Sequence, residues 1–154
     1  MAVIDETLRL STQEVDALLS TCARCRIATV GPGADINLTP MTFGWANGCV
    51  YIFGRGQKIA NLRRNATATV LVDVGDAWQE LKGVMLRGQA RVLETAGEET
   101  ADPGLDAARA NLAAKHGLAE PYGASASGRS RRWIVFEPDR LVSWDNAKLN
   151  RGKP

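Results

Sequence analysis

The chain has one histidine, His116, in 154 residues, and only three cysteines, Cys22, Cys25 and Cys49. A single imidazole on an alanine-rich helix makes a poor general base alone, and its place near the helix end suits the C-terminal dipole. An odd cysteine count closes no disulfide framework and points to a reducing compartment. Cys22-Ala-Arg-Cys25 has the spacing of a redox pair or half a metal site, but no second such pair follows. Small buried hydrophobes at a helix end are the favoured reading of these two thiols. No apolar segment approaches the roughly 20 residues of a membrane span. The first residues, MAVIDETLRLS, place acids where a signal peptide has a basic head, so a cytoplasmic location is expected. An excess of one charge sign is missing too: 19 basic and 17 acidic residues leave a net +2. Nucleic acid and membrane surfaces are therefore not expected partners. G-x-S-x-G, H-E-x-x-H and Walker A patterns are absent, which excludes the usual hydrolytic and phosphate-loop machinery. If the chain does chemistry, a bound group carries the hard part.

What is there is organised around residues 50–74, VYIFGRGQKIANLRRNATATVLVDV. Residues 50–53 form a short β-type run, and Gly54-Arg55-Gly56 breaks it. Helical spacing follows, with Ile59 and Leu62 facing inward, and an apolar strand resumes at 66–72. A glycine turn that opens a helix and carries Arg55 and Lys58 gathers backbone N–H groups and two cations at one spot. That spot suits a phosphate. The same Arg55, Lys58, Arg63 and Arg64 equally fit an ordinary solvated helix face.

The remaining chain reads as support. Ser11 and Glu14 have capping-box spacing, which predicts a helix over 12–23. Strands are predicted at 26–30 and 36–45, and Asn47-Gly48 joins the second to 50–53 as a hairpin. After a turn at Gly75-Asp76, residues 81–93 alternate as a long strand, with Gly88 marking a bend or bulge. Residues 95–103 read as a turn, 105–116 as a helix with Gly117 as its C-cap, and 118–130 as a flap or exposed connector. Two final strands, 132–137 and 140–144, are split by Pro138-Asp139. Some seven strands with hairpin signals and no regular β–α alternation exclude a doubly wound fold. The expectation is one domain over 1–154, mainly β (α+β), an antiparallel barrel of six to seven strands with peripheral helices.

Four segments together resemble the pyridoxamine 5′-phosphate oxidase-like split-barrel superfamily of flavin- and deazaflavin-dependent oxidoreductases. They are CRIATVGPGADINLTPMTF, GQKIANLRRNATATVLVDVGDAW, LKGVMLRGQARVLE and the terminal RLVSWDNAKL, the last similar to the ending of actinobacterial members that use the deazaflavin F420. The resemblance implies a homodimer with two cofactor sites at its interface. It implies F420 as cofactor, with FMN as the alternative, and a small conjugated organic substrate to or from which hydride passes. Residue by residue, Lys58 matches the family's phosphate-contacting lysine, with Arg55 and Gln57 in the same turn. Asn61 matches the family asparagine or simply braces the helix. Thr39, Pro40 and Met41 match the strand beside the ring, and Thr29 lies on the next strand. Trp78 follows the VDVGD turn, and Trp144 and Lys148 match the C-terminal position from which, in family dimers, the partner subunit reaches the cofactor, although plain core packing explains the tryptophans equally well. Ala66 and Asn37 depart from the pattern. The matching alternative from another class is a flavin- or F420-binding carrier or sensor without turnover. For the acidic tail of F420, Arg63, Arg64, Arg87 and Arg91 are candidates for a basic groove, or simply lie in water.

Overall fold

The computed structural model describes residues 6–121 and 130–152. Seven strands, β1 (Arg24–Val30), β2 (Ile36–Thr42), β3 (Gly44–Ala46), β4 (Cys49–Gly54), β5 (Thr67–Val74), β6 (Lys82–Leu93) and β7 (Arg132–Asp145), alternate unevenly with four helices. These are α1 (Thr12–Thr21), α2 (Gln57–Arg64), α3 (Ala96–Ala101) and α4 (Leu105–Lys115). The strands form one antiparallel sheet in the order β2-β1-β5-β6-β7-β4-β3. The two edge strands, β2 and β3, are separated in sequence by Phe43 alone. Consecutive Cα atoms lie about 3.8 Å apart, so the sheet has to curl until its ends nearly touch. The result is a split β-barrel, mainly β in an α+β chain.

Side-chain alternation fills this barrel from both sides. Val50 and Ile52 of β4, with Ile134 and Phe136 of β7, join the interior core alongside Ile27, Val70, Val84 and Leu86. Their neighbours Tyr51, Phe53, Trp133 and Val135 face outward and are covered by Leu105, Ala108 and Leu112 of α4. Strands buried on both faces read as continuous apolar runs, as CVYIFG and WIVF do. Val15, Leu18 and Leu19 of α1 and Ile59 and Leu62 of α2 complete the interior core.

Several boundaries differ from the sequence reading. The helix over 12–23 stops at Thr21, where Cys22 takes extended dihedrals and caps back to the Leu18 carbonyl. The strand over 36–45 is two strands, because Phe43 is the seam at which the chain passes from one end of the sheet to the other. Asn47 and Gly48 both have positive φ, 53° and 70°, as a tight hairpin turn requires. Residues 95–103, read as a turn, contain α3, capped by Thr95 and Glu98 acting on each other's backbone. The two final strands are a single fourteen-residue β7: Asp139 is squeezed out of register opposite the Arg87–Gly88 step, and pairing resumes on either side. Gly88 makes this possible, since a Cβ there would collide with the Glu137 carbonyl. Of the predicted connector 118–130, residues 122–129 lie outside the described residues.

Candidate functional site

The GRGQK turn ends β4 and opens α2, and the curl of the sheet carries β2 to the same place. Between them lies a cleft of about 350 Å³ lined by Pro40, Met41, Thr42, Phe53, Gly54, Arg55, Lys58 and Arg131. The approach is close. A Cβ on Gly54 would stand 3.3 Å from Lys58 Cδ and 3.5 Å from Met41 Cε, so only glycine leaves the wall this flat. Gly56 takes φ 84° to start the helix, and no side chain caps α2.

Lys58 is the unusual residue. It is 9% exposed, and its Nζ donates to the Arg55 carbonyl at 2.9 Å. Among the described residues no carboxylate pairs with it. Burial lowers its pKa, and the nearby Arg55 guanidinium lowers it further. A buried ammonium without a counter-ion is costly, and lysine is rarely buried unpaired. The three cations of the cleft, Arg55, Lys58 and Arg131, face no acid in its lining. Such a set is chemically suited to an anion, and Met41, Pro40 and Phe53 beside it offer apolar surface to a flat ring.

Next to this cleft is a polar bracket. Asn61, 1% exposed, donates to Thr29 Oγ1 at 3.1 Å and accepts from Gln57 Nε2 at 2.7 Å and Arg64 at 3.3 Å. Thr29, Asn61 and Gln57 thus tie α2 to β1, and Asn61 braces the helix. On the adjoining β2, Asn37 Oδ1 and Thr39 Oγ1 are buried with no hydrogen-bond partner among the described residues. Unpaired buried oxygens of this kind usually have an absent partner, a water or a ligand. Asn37 enters the sequence argument only as a departure from a pattern, and Arg131 not at all. It adjoins the segment outside the described residues, and no local signal links it to a turn so far away in sequence.

Trp78, Trp144 and Lys148 are not brought to the cleft. Gly54 pairs with Arg132 at the start of β7, whereas Trp144 sits near its end, beside Gly83. Lys148 Nζ donates to the Arg9 carbonyl and to Glu14 Oε2, both at 2.7 Å. With the Ser11 backbone, that bond holds the Glu14 carboxyl down at about 2. Asn146 donates to the Trp78 carbonyl at 2.8 Å, and Leu10 N–H donates to Ser143 Oγ at 3.0 Å. The SWDNAKL ending therefore stitches the N-terminal segment and the Trp78 turn to β7. Trp78 itself stays 61% exposed.

Of the four arginines considered for an acidic tail, Arg63 chelates Glu94 at 3.0 Å, Arg91 pairs with Asp102, and Arg64 leans on Asn61. The Cys22–Cys25 pair is also accounted for. Cys25 lies in the core on β1, where burial pushes its thiol up to about 12, and Cys22 is raised for the same reason. Among the described residues no three His, Cys, Asp or Glu side chains are grouped to hold a metal, and no helix is long and apolar enough to cross a membrane.

Comparison with known proteins agrees with this architecture. A family model described as pyridoxamine 5′-phosphate oxidase matches residues 11–145. The chain belongs to that family. No curated protein matches its sequence. Among solved structures, the family fold is shared with a conserved hypothetical protein, Rv2991, from Mycobacterium tuberculosis at TM-score 0.78 and 23% identity, over 99% of this chain and 94% of that one. A FAD-binding protein from Mesorhizobium loti aligns at TM-score 0.66 and 21% identity, over 87% and 94% of the two chains. An F420 reductase aligns at 0.60 and 20%, over 82% and 94%. At these identities the likeness is one of fold.

Proposed function

We propose that this member of the pyridoxamine 5′-phosphate oxidase family is an oxidoreductase that holds a flavin-type cofactor, F420 first and FMN as the alternative, and passes hydride to or from a small conjugated organic substrate. The observation that carries the reading is Lys58, a buried cation with no carboxylate partner among the described residues, in a cleft whose charged lining residues are all basic. The residues present fit such a cofactor. Lys58 and Arg55 would take its phosphate, Met41, Pro40 and Phe53 would flank the ring, and the unpaired oxygen of Thr39 would meet its polar edge. A bound flavin or deazaflavin supplies the electron sink, so no catalytic dyad is required. The chain's own part is to anchor, orient and exclude water.

A homodimer belongs to the proposal, because Trp78, Trp144 and Lys148 are remote from their own chain's cleft; Trp78, exposed, is the one best placed to reach a partner's. A cytoplasmic location completes it. The names of two fold relatives, a FAD-binding protein and an F420 reductase, support the cofactor class. The competing reading is a carrier or sensor that binds the same group without turnover. It is favoured by a cleft lining that offers no proton-transfer side chain apart from Lys58. Absorbance titration of the purified protein with F420 and with FMN tests the cofactor. Loss of the reduced F420 spectrum on adding a panel of conjugated enones and quinones then identifies an enzyme, whereas tight binding with no turnover across the panel identifies a carrier.

A further inference from the structure

The Lys58 cleft holds one cation more than a phosphate needs. A phosphate monoester carries about −1.5 to −2 at pH 7, the most that this group brings. Lys58 and Arg55 balance it, and the N-terminus of α2, which no side chain caps, adds positive potential at the same turn. Arg131, the third cation of the lining, is left over. It enters from the other strand of the ladder: Gly54 pairs with Arg132, so Arg55 leaves the ladder where Arg131 joins it. Like charges set across an antiparallel pair are unfavourable. Among the described residues Arg131 meets no carboxylate that would relieve this. Residues 122–129, the neighbouring part of the chain outside the described residues, contain no Asp or Glu either. Three of the four arginines first considered for an acidic tail are engaged elsewhere, Arg63 with Glu94, Arg91 with Asp102 and Arg64 with Asn61. Arg131 is exposed, so it meets an incoming anion at little cost in lost hydration.

We infer that Arg131 binds a second anion, a carboxylate, beside the phosphate. The inference rests on the reading of this cleft as a cofactor site and narrows it: cofactor and substrate together must bring a carboxylate as well as a phosphate. A guanidinium fork takes both oxygens of a carboxylate in parallel, a geometry that a lysine does not offer. Two sources have this chemistry. One is the acidic tail of F420. The other is the substrate, which would then be a conjugated carboxylic acid. FMN has no carboxylate and cannot supply the group.

Calorimetric titration of the full-length wild type and of Arg131→Gln tests it. FMN carries the phosphate without a carboxylate and should bind the two proteins alike. If the tail is the source, F420 should bind the variant roughly tenfold or more weakly, the usual cost of one charged hydrogen-bond partner. If the substrate is the source, F420 affinity should hold, and cinnamate should bind the cofactor-loaded variant roughly tenfold or more weakly than the loaded wild type. Cinnamamide, which lacks the charge, should not distinguish them. FMN weakened along with F420 would make Arg131 a third phosphate ligand and overturn the proposal. So would the absence of any loss for both F420 and cinnamate in the variant. A wild type that binds neither F420 nor FMN removes the cofactor reading and the second anion with it, whereas cofactor binding with no loss in the variant removes the second anion alone.

Discussion

At the scale of single residues, two lysines carry the most information, because each is withdrawn from water without an acid beside it. Lys58 faces the cleft. Lys115 is different: its Nζ stands 3.5 Å from the centre of the Phe43 ring and donates to the Phe43 carbonyl at 3.1 Å. Burial lowers its pKa from 10.5 to about 8. Between those values the unfolded chain binds more protons than the folded one, so the stability that Lys115 contributes rises as pH climbs from about 8 to about 10.5. Denaturant unfolding of wild type and Lys115→Met at pH 7.5 and pH 10 should show the difference moving in favour of the wild type by on the order of 1–2 kcal/mol. A difference that stays constant would mean that the amine titrates normally. Cys25 makes a simpler test. With its thiol held near 12, it should resist iodoacetamide at pH 8 in the folded protein and react only on unfolding. Lys58 and Arg55 were legible in the sequence because a glycine turn opening a helix is a local pattern. Arg131 and the unpaired oxygen of Asn37 were not, since their meaning depends on what the sheet's curl places opposite them.

At the scale of elements, close approach decides what is allowed. Gly44 on β3 lies so near α4 that a Cβ would overlap the Ala108 backbone. Gly44→Ala should therefore destabilise the protein by about 1–3 kcal/mol, read as a lower denaturation midpoint with unchanged slope. A neutral outcome would mean that α4 does not hold this position. The same helix is clamped from below: Tyr51 donates to Asp102 at 2.6 Å, and Gly104 N–H donates to the same oxygen at 3.0 Å. Most elements were readable from periodicity and turn chemistry, down to the Asn47-Gly48 hairpin and the Gly117 cap, whose φ is 64°. The misreadings have local causes. Helix α3 has its Thr95 and Glu98 cap in plain view, but its six residues, AGEETA, carry no apolar stripe. Pro138-Asp139 reads as a break between strands because Pro-Asp is a turn signal, and only the pairing of Arg140 with Arg87 and of Pro138 with Gly88 shows that the ladder resumes around an unmatched Asp139.

At the scale of the whole molecule, the seam at Phe43 turns an open sheet into a barrel and brings β2 against the β4–α2 turn. The barrel is legible in the hairpin signals and the lack of β–α alternation, whereas the strand order is not, because the pairing of β6 with β7 and of β4 with β7 joins segments far apart in sequence. The proposed dimer predicts a light-scattering mass of about twice the 16.6 kDa chain. A monomer at micromolar concentration would remove the partner's tryptophan from the account. The central claim, that Lys58 is the anchor of a cofactor phosphate, is tested most directly by F420 affinity. Fluorescence titration of wild type and Lys58→Ala should show micromolar or tighter binding that weakens about 10- to 100-fold in the variant, the loss expected for one charge-assisted hydrogen bond to phosphate. Equal affinity in the two proteins would contradict it.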